Sequence, residues 1–183
     1  MGELAERQRP LHREEYERMI DAGFFRDERI ELIRGVIVEM SPQNMPRSGA
    51  IQVLTRLLVP PLVGRADVRV QLPFAAGEDS LPEPDLAVVE PRYFRGGHPD
   101  HAFLIIEVAD ASLKFDRQEK AELYARAGVP EYWVVNLIDK IVEQHSDPAG
   151  GSYTRVTPYR PSETLAPLAF TDVAVRVAEV FGE

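Results

Sequence analysis

The sequence contains no cysteine, so disulfide bonds, thiolate metal sites and cysteine nucleophiles are all excluded. It also lacks any run near the roughly 18 uninterrupted apolar residues that a membrane-spanning helix requires. Residues 1–13 are polar and charged, unlike a secretory signal peptide. These absences lead us to expect a globular, cytoplasmic protein with no membrane partner.

Positive charge is in short supply. The formal net charge is -9 at pH 7, whereas proteins that grip nucleic acid through its phosphates usually carry a basic face. This balance counts against an extended phosphate-binding surface but leaves room for a local one. Lysine is especially rare, because the chain has only Lys114, Lys120 and Lys140. A lysine beside acidic residues is therefore less expected by chance here than in a lysine-rich chain.

The length of 183 residues fits a single domain, 1–183, with a substantial core. Helical and strand-like apolar patterns are mixed along the chain, which predicts an α/β or α+β fold with helices packed on a mixed sheet. The predicted helices cover 11–22, 50–58 (stopped by Pro60 and Pro61) and 116–127 (capped by Asp116). The predicted strands cover 29–33 and 36–40 as a hairpin, 67–72, 86–89, 103–106, 132–135, and 141–145 with 153–157 as a second hairpin. The segment 173–181 fits a strand or a helix.

Two of these strands carry a carboxylate at one end. Asp85 opens the run 86–89, and Glu107 closes the run 103–106. A carboxylate against a buried strand costs free energy unless it is paired, hydrogen-bonded or bound to a metal. If the two strands are neighbours, both acids can reach one Mg²⁺ ion, which prefers oxygen ligands and makes a water nucleophilic near neutral pH. Lys120, four residues before Tyr124 on a helix, could orient that water or stabilise charge on phosphorus.

Each of these residues also has an ordinary structural explanation. An Asp after a proline often caps backbone amides in a turn. A Glu at a strand end often pairs with an arginine, and a helical lysine is usually solvated. The spacing alone leaves both interpretations open, because short motifs have a high false-positive rate.

Several segments, taken in order, resemble one known family. They are 29–40, Pro84-Asp85, 106–108, Lys120 with Tyr124, and the Gly-Val-Pro-Glu-Tyr-Trp-Val-Val string at 128–135. Together they resemble the Uma2-type restriction endonuclease family of the PD-(D/E)XK nuclease superfamily, over roughly 14–181. The resemblance implies a restriction-endonuclease-like core with an N-terminal helix and β-hairpin. It also implies a phosphodiesterase site that uses Mg²⁺, with Mn²⁺ as the alternative ion, and DNA as the substrate.

The resemblance assigns roles position by position. Asp85 matches the metal-binding acid of the PD element, and Glu107 matches the acid of the (D/E)XK element. The lysine position of that element falls on Ala109, so Lys120 on the following helix takes its place. Glu31 matches the acid of the N-terminal hairpin, at the rim of the site. Members often have a histidine near the start of the second helix, where this chain has Ser48.

The sequence leaves three hypotheses for the function. The first is a metal-dependent DNA endonuclease, for which a homodimer is plausible because cutting both strands of a duplex favours two paired sites. The second is a catalytically silent family member that binds nucleic acid or a protein. The third is a metal-dependent hydrolase that acts on a small phosphoester.

Overall fold

A computed structural model describes residues 9–183. The helices are α1 (Arg13–Asp21), α2 (Met45–Leu62), α3 (Leu113–Phe115), α4 (Ala121–Arg126) and α5 (Val177–Val180), and a π-helical turn, Asp116–Lys120, joins α3 to α4. The strands are β1 (Ile30–Ile33), β2 (Val36–Glu39), β3 (Asp67–Val70), β4 (Leu86–Val89), β5 (Leu104–Ala109), β6 (Glu131–Asn136), β7 (Ile141–Ala149), β8 (Ser152–Tyr159), β9 (Thr164–Leu165) and β10 (Val175–Arg176). The predicted mixed α/β architecture is confirmed.

A six-stranded sheet in the order β3-β4-β5-β6-β7-β8 forms the centre. Strands β5 and β6 run parallel, and every other neighbouring pair in the sheet runs antiparallel. A parallel pair needs a long crossover, which here is the helical segment α3–α4. The sheet therefore places this segment directly after the strand that carries Glu107.

The two faces of the sheet have different partners. Alternating side chains of β4, β5 and β6 pack on α2 on one face and on α4 on the other. Trp133 belongs to the α2 face, whereas Tyr132 and Tyr124 belong to the α4 face, and all three are fully buried. These three aromatic side chains are therefore part of the core.

The hairpin β1–β2 turns at Arg34 and Gly35, both of which have positive φ angles, 50° and 76°. That conformation suits the right-handed twist of the flanking strands. A side chain at Gly35 would place its Cβ 2.2 Å from the Cβ of Pro10, so no larger residue fits. Leu32 also bridges to Leu81, which ties the hairpin to the segment that leads into β4.

Helix α2 is longer than the sequence predicts. It runs from Met45 to Leu62 and contains both Pro60 and Pro61, so the prediction that these prolines stop the helix before residue 60 was wrong. Their fixed φ is compatible with a helix, but neither has an N–H, so the i→i−4 hydrogen bonds from positions 60 and 61 are missing and the helix ends at Leu62. At the other end, Asn44 caps the helix by accepting from the Arg47 amide at 3.0 Å.

The helix predicted to start at Asp116 begins earlier. Helical structure starts at Leu113, and Asp116 lies inside it as the first residue of the π-helical turn. Its carboxylate accepts a hydrogen bond from the Ser112 hydroxyl at 2.6 Å and caps nothing. The helix ends near the predicted place, since Gly128 follows it with a φ of 76°. The C-terminal segment left open by the sequence is β10 followed by α5.

The strand β6 is anchored by a buried carboxylate. Glu131 accepts from the Trp133 indole and the Gln144 amide, each at 2.6 Å, and from the Leu168 backbone at 2.7 Å. It is fully buried, and burial raises its pKa despite these donors. Glu131 thus links β6 to β7 and to the loop that contains Leu168. Among residues 9–183, no helix is long and apolar enough to cross a membrane.

We predict that Glu131→Ala lowers the free energy of unfolding by about 3 kcal/mol, because three buried donors lose their acceptor together. Urea denaturation at pH 7 measures the loss. Glu90→Ala, at an exposed position just after β4, is the matched control and changes stability by less than about 0.5 kcal/mol. Equal stability of the two variants would contradict the anchoring role of Glu131.

Candidate active site

The antiparallel register of β4 and β5 brings the two candidate acids together. Leu86 pairs with Ile106, and the same register continued by one position sets Asp85 opposite Glu107. Directly opposite residues share a face of the sheet, with Cβ atoms about 5 Å apart. The prediction that the two strands are neighbours is confirmed. Glu107 lies inside β5, however, and not at its end. Both Asp85 and Glu107 are only 1% exposed.

Asp85 is held by three donors. Its Oδ2 accepts from the Val108 amide at 2.8 Å, and its Oδ1 accepts from the Gln71 side chain at 3.3 Å. Arg47 Nη2 donates to both oxygens, at 3.0 and 3.2 Å. The guanidinium of Arg47 is itself only 6% exposed. Asp85 is thus one half of a buried ion pair that links β4 to the first turn of α2.

Glu107 is satisfied on one side only. Its Oε1 accepts from Lys120 Nζ at 2.9 Å and from the Tyr124 hydroxyl at 2.8 Å. Its Oε2 is buried and has no hydrogen-bond partner. A buried, unpaired carboxylate oxygen is rare in a folded protein and marks a place where a water or an ion is expected.

The N-terminal hairpin completes the site. Glu31 Oε1 lies 3.0 Å from Lys120 Nζ, and Glu31 Oε2 accepts from the Glu83 amide at 3.1 Å. Glu31 is 3% exposed. The sequence placed it at the rim, but the structure places it in direct contact with Lys120, which bridges Glu31 and Glu107.

The crossover helix contributes a row of side chains four residues apart. Lys120 and Tyr124 both donate to Glu107. One and two turns earlier, Asp116 accepts from Ser112 and lies close enough to Lys120 and Asp85 for their charges to act on it. In a regular α-helix with 3.6 residues per turn, side chains spaced four apart shift by about 40° around the axis at each step. A π-helical turn holds more residues, so it offsets part of this shift and keeps the four side chains on one side of the helix. The Tyr132 hydroxyl donates to the Asp116 carbonyl at 3.1 Å and so helps to fix this turn.

The buried charges of the site do not balance. Four carboxylates and two cations lie within it, each at most 6% exposed: Glu31, Asp85, Glu107, Asp116, Arg47 and Lys120. The formal excess is two negative charges, which protons or one divalent cation would neutralise. Burial is the main cause that raises the pKa of Glu107, and Asp85 adds to it while Lys120 opposes it. Burial likewise raises the pKa of Asp116.

Lys120 stays charged at neutral pH. Burial alone would lower its pKa, but Glu107, Glu31 and Asp116 outweigh that effect and raise the pKa above the ordinary value. Lys120 is consequently unsuited to accept a proton from water near pH 7. It acts through its positive charge and its hydrogen bonds.

Sequence reasoning missed Arg47 and Asp116. Arg47 stands three residues before Ala50 and seven before Leu54, so it belongs to the buried face of α2, and this periodicity was the available signal. The neighbouring Ser48 is exposed. Asp116 was assigned to a helix cap because its π-helical surroundings leave no mark in the sequence.

The polar loop between β4 and β5 contains further side chains that could bind phosphate or metal. Arg92 stacks on Phe94, with its guanidinium carbon 4.6 Å from the ring centroid, and Arg95 stacks on Tyr93 at 5.6 Å. His98 lies 3.9 Å from Glu17. None of these contacts involves Asp85 or Glu107.

The donor set fits a divalent cation. No three Asp, Glu or His side chains form a ready-made metal centre in the part of the chain that the structure describes. Mg²⁺ needs only one or two carboxylates, however, because it keeps several waters. Asp85 and Glu107 supply two, and Glu107 Oε2 is unpaired. A hollow of about 40 Å³, lined by Glu31, Arg47, Ser112, Asp116 and Lys120 among others, lies beside them.

The fold defines a class of protein. A crystal structure from Anabaena variabilis ATCC 29413, described as a "putative nuclease belonging to DUF820", is similar to this chain with a TM-score of 0.66. The sequences are 15% identical, and the similarity covers 83% of this chain and 89% of that one. The fold is therefore one that a nuclease-like protein also adopts.

The sequence defines the family. Residues 13–178 match the Uma2 family, described as "Putative restriction endonuclease". The chain belongs to this family, as its motifs predicted. None of the curated proteins matches it. The description of the family points to an endonuclease.

We predict that Lys120→Met lowers the free energy of unfolding by about 3–5 kcal/mol, because it leaves Glu31 and Glu107 buried without their shared cation. Urea denaturation at pH 7 measures this. Lys114→Met removes the same charge from an exposed position on the same helical segment and changes stability by less than about 0.5 kcal/mol. A loss below about 1 kcal/mol for Lys120→Met would show that the bridge is weak.

Proposed function

We propose that this protein is a metal-dependent DNA endonuclease that hydrolyses phosphodiester bonds, with Asp85 and Glu107 as its metal ligands. The observation that carries the proposal is the buried excess of two negative charges around these acids, next to the unpaired Oε2 of Glu107. Protein interiors do not tolerate such an excess unless something compensates it. Family membership supplies the reaction class.

Different residues of the site orient the metal ligands and stabilise charge. Asp85 is fixed by the Val108 amide, and Glu107 is fixed by Lys120 and Tyr124, so both carboxylates have one orientation. A divalent cation held by them would lower the pKa of a coordinated water and offset phosphate charge. The Lys120 ammonium lies beside the same carboxylate, where it stabilises negative charge that develops on phosphorus. Glu31 orients Lys120 from the opposite side.

DNA is the proposed substrate, and a homodimer is the proposed assembly for cleavage of both strands. With a net charge of -9, the chain cannot rely on long-range attraction to the phosphate backbone. A cation at the site would reverse the local sign of the charge where a phosphate must bind. Metal and substrate should therefore bind in a mutually dependent manner.

The ion pair between Arg47 and Asp85 favours one alternative. In a catalytically silent family member, Arg47 would replace the metal permanently, and the fold would serve to bind nucleic acid or a protein. A hydrolase for small phosphoesters would share the site but would not cut plasmid. Calorimetric titration with Mg²⁺ and Mn²⁺, and a panel of plasmid, single-stranded DNA, RNA and a chromogenic phosphodiester, separate these functions.

We expect nicking or cleavage of plasmid DNA in Mg²⁺ or Mn²⁺ that stops when EDTA is added. Asp85→Asn and Glu107→Gln, which keep the side-chain shape, reduce the rate by about 100-fold or more, because they remove the charge that holds the cation. Glu90→Gln, at the exposed position just after β4, is the matched control and stays active.

Circular dichroism and a thermal melt confirm that each variant is folded before its rate is compared. Cleavage that survives both Asp85→Asn and Glu107→Gln would overturn the site assignment. Activity on the chromogenic diester alone would redirect the proposal to small substrates.

A further inference from the structure

Arg47 has a position that ordinary ion pairing does not explain. Its guanidinium lies on both oxygens of Asp85, at 3.0 and 3.2 Å, and it is almost fully buried. Its charge also acts on Glu107 and Asp116, both of which contribute to its raised pKa against the effect of burial. One arginine therefore stands among three carboxylates at the place where a cation bound to Asp85 would lie.

The contacts of Arg47 are incomplete. Its Nε is buried and has no hydrogen-bond partner, and the same is true of Glu107 Oε2 across the site. A buried arginine that only stabilised the fold would be expected to satisfy all of its donors. The hollow beside it is lined by Arg47, Ser112 and Asp116, so the side chain has a neighbouring space and a second carboxylate within the same cluster.

We propose that Arg47 competes with the divalent cation for Asp85: the guanidinium holds the carboxylate in the metal-free protein and must leave it when the metal binds. This inference rests on the proposed function, because it takes Asp85 as a metal ligand. Arg47 is a positioning residue in this scheme, since it holds the Asp85 carboxylate in one orientation without metal. It also sets the metal concentration at which the site fills.

Displacement of Arg47 does not expel its charge from the site. Asp116 lies in the same cluster and lines the same hollow, so the guanidinium can leave Asp85 and remain near an acid. From there it would be free to pair with a phosphate group bound at the site. A planar guanidinium suits a phosphate group through paired hydrogen bonds.

Calorimetric titration of the full chain with Mn²⁺ alone tests the competition. Arg47→Gln is expected to bind Mn²⁺ about tenfold more tightly than the wild type, because the competing cation is gone. Arg56→Gln removes the same charge from an exposed position on the same helix and controls for the general rise in negative charge. It is expected to leave the affinity within about twofold.

A thermal melt supplies a second readout. Without metal, Arg47→Gln melts below the wild type because Asp85 loses its partner, and Mn²⁺ raises its melting temperature by more than it raises that of the wild type. If Arg47→Gln does not fold, Arg47→Lys decides, since one ammonium replaces a contact to both oxygens less well. Tighter Mn²⁺ binding by Arg47→Lys supports the competition, and equal or weaker binding overturns it.

The outcomes separate this inference from the proposed function. Mn²⁺ binding by the wild type together with equal or weaker binding by Arg47→Gln overturns the role of Arg47 and leaves the metal site standing. Binding by none of the variants, Arg47→Gln included, overturns the metal site and the competition together. A tenfold gain in Arg47→Gln that disappears in the double variant with Asp85→Asn supports both.

Discussion

The site depends on the cost of burying like charges side by side. Asp85 and Glu107 face each other across two antiparallel strands in the interior, where their repulsion is not screened by water. Arg47 and Lys120 each offset one of them, from opposite directions, and so draw α2 and the crossover helix against the same end of the sheet. The packing of these two helices against the sheet therefore depends on the two carboxylates. The remaining negative charge is what makes the interior receptive to a cation.

Burial also decides what each residue can do. An exposed lysine would be a mobile charge, but Lys120 is held between Glu31 and Glu107 with its pKa raised, so its contribution is fixed in place and in charge. Tyr124 and the Val108 amide act in the same way on the two acids, because each leaves a carboxylate only one orientation. Such preorganisation is the main means by which enzymes stabilise charge in a transition state. A site built on this principle is consistent with a family described as "Putative restriction endonuclease".

Much of this arrangement was readable from the sequence, and the failures have physical causes. The β1–β2 hairpin, the strands around Asp85 and Glu107, and the helix with Lys120 and Tyr124 follow from local patterns and turn residues, so they were predicted nearly in place. The extent of α2 was missed because prolines were treated as absolute stops, although the fixed φ of proline is compatible with a helix and each proline removes only one hydrogen bond. Arg47 was missed because an arginine does not fit the apolar face of an amphipathic helix, and its partner Asp85 becomes known only from the fold. The π-helical turn was missed because no residue in the segment 116–120 marks it, and its contact with the Tyr132 hydroxyl is known only from the fold.

That turn carries a consequence for how the chain tolerates changes of length. The π-helical turn holds about one residue more than an ordinary helical turn, so removal of one residue between Asp116 and Lys120 would let it relax to a regular turn. The amine and the phenol that hold Glu107 would then keep nearly the same direction. Removal of one residue between Lys120 and Tyr124, where the helix is regular, would instead rotate everything after it by about 100° around the axis and carry the phenol away from Glu107. The crossover helix is therefore expected to accept the loss of a residue in its wide turn and to resist the same loss four residues later.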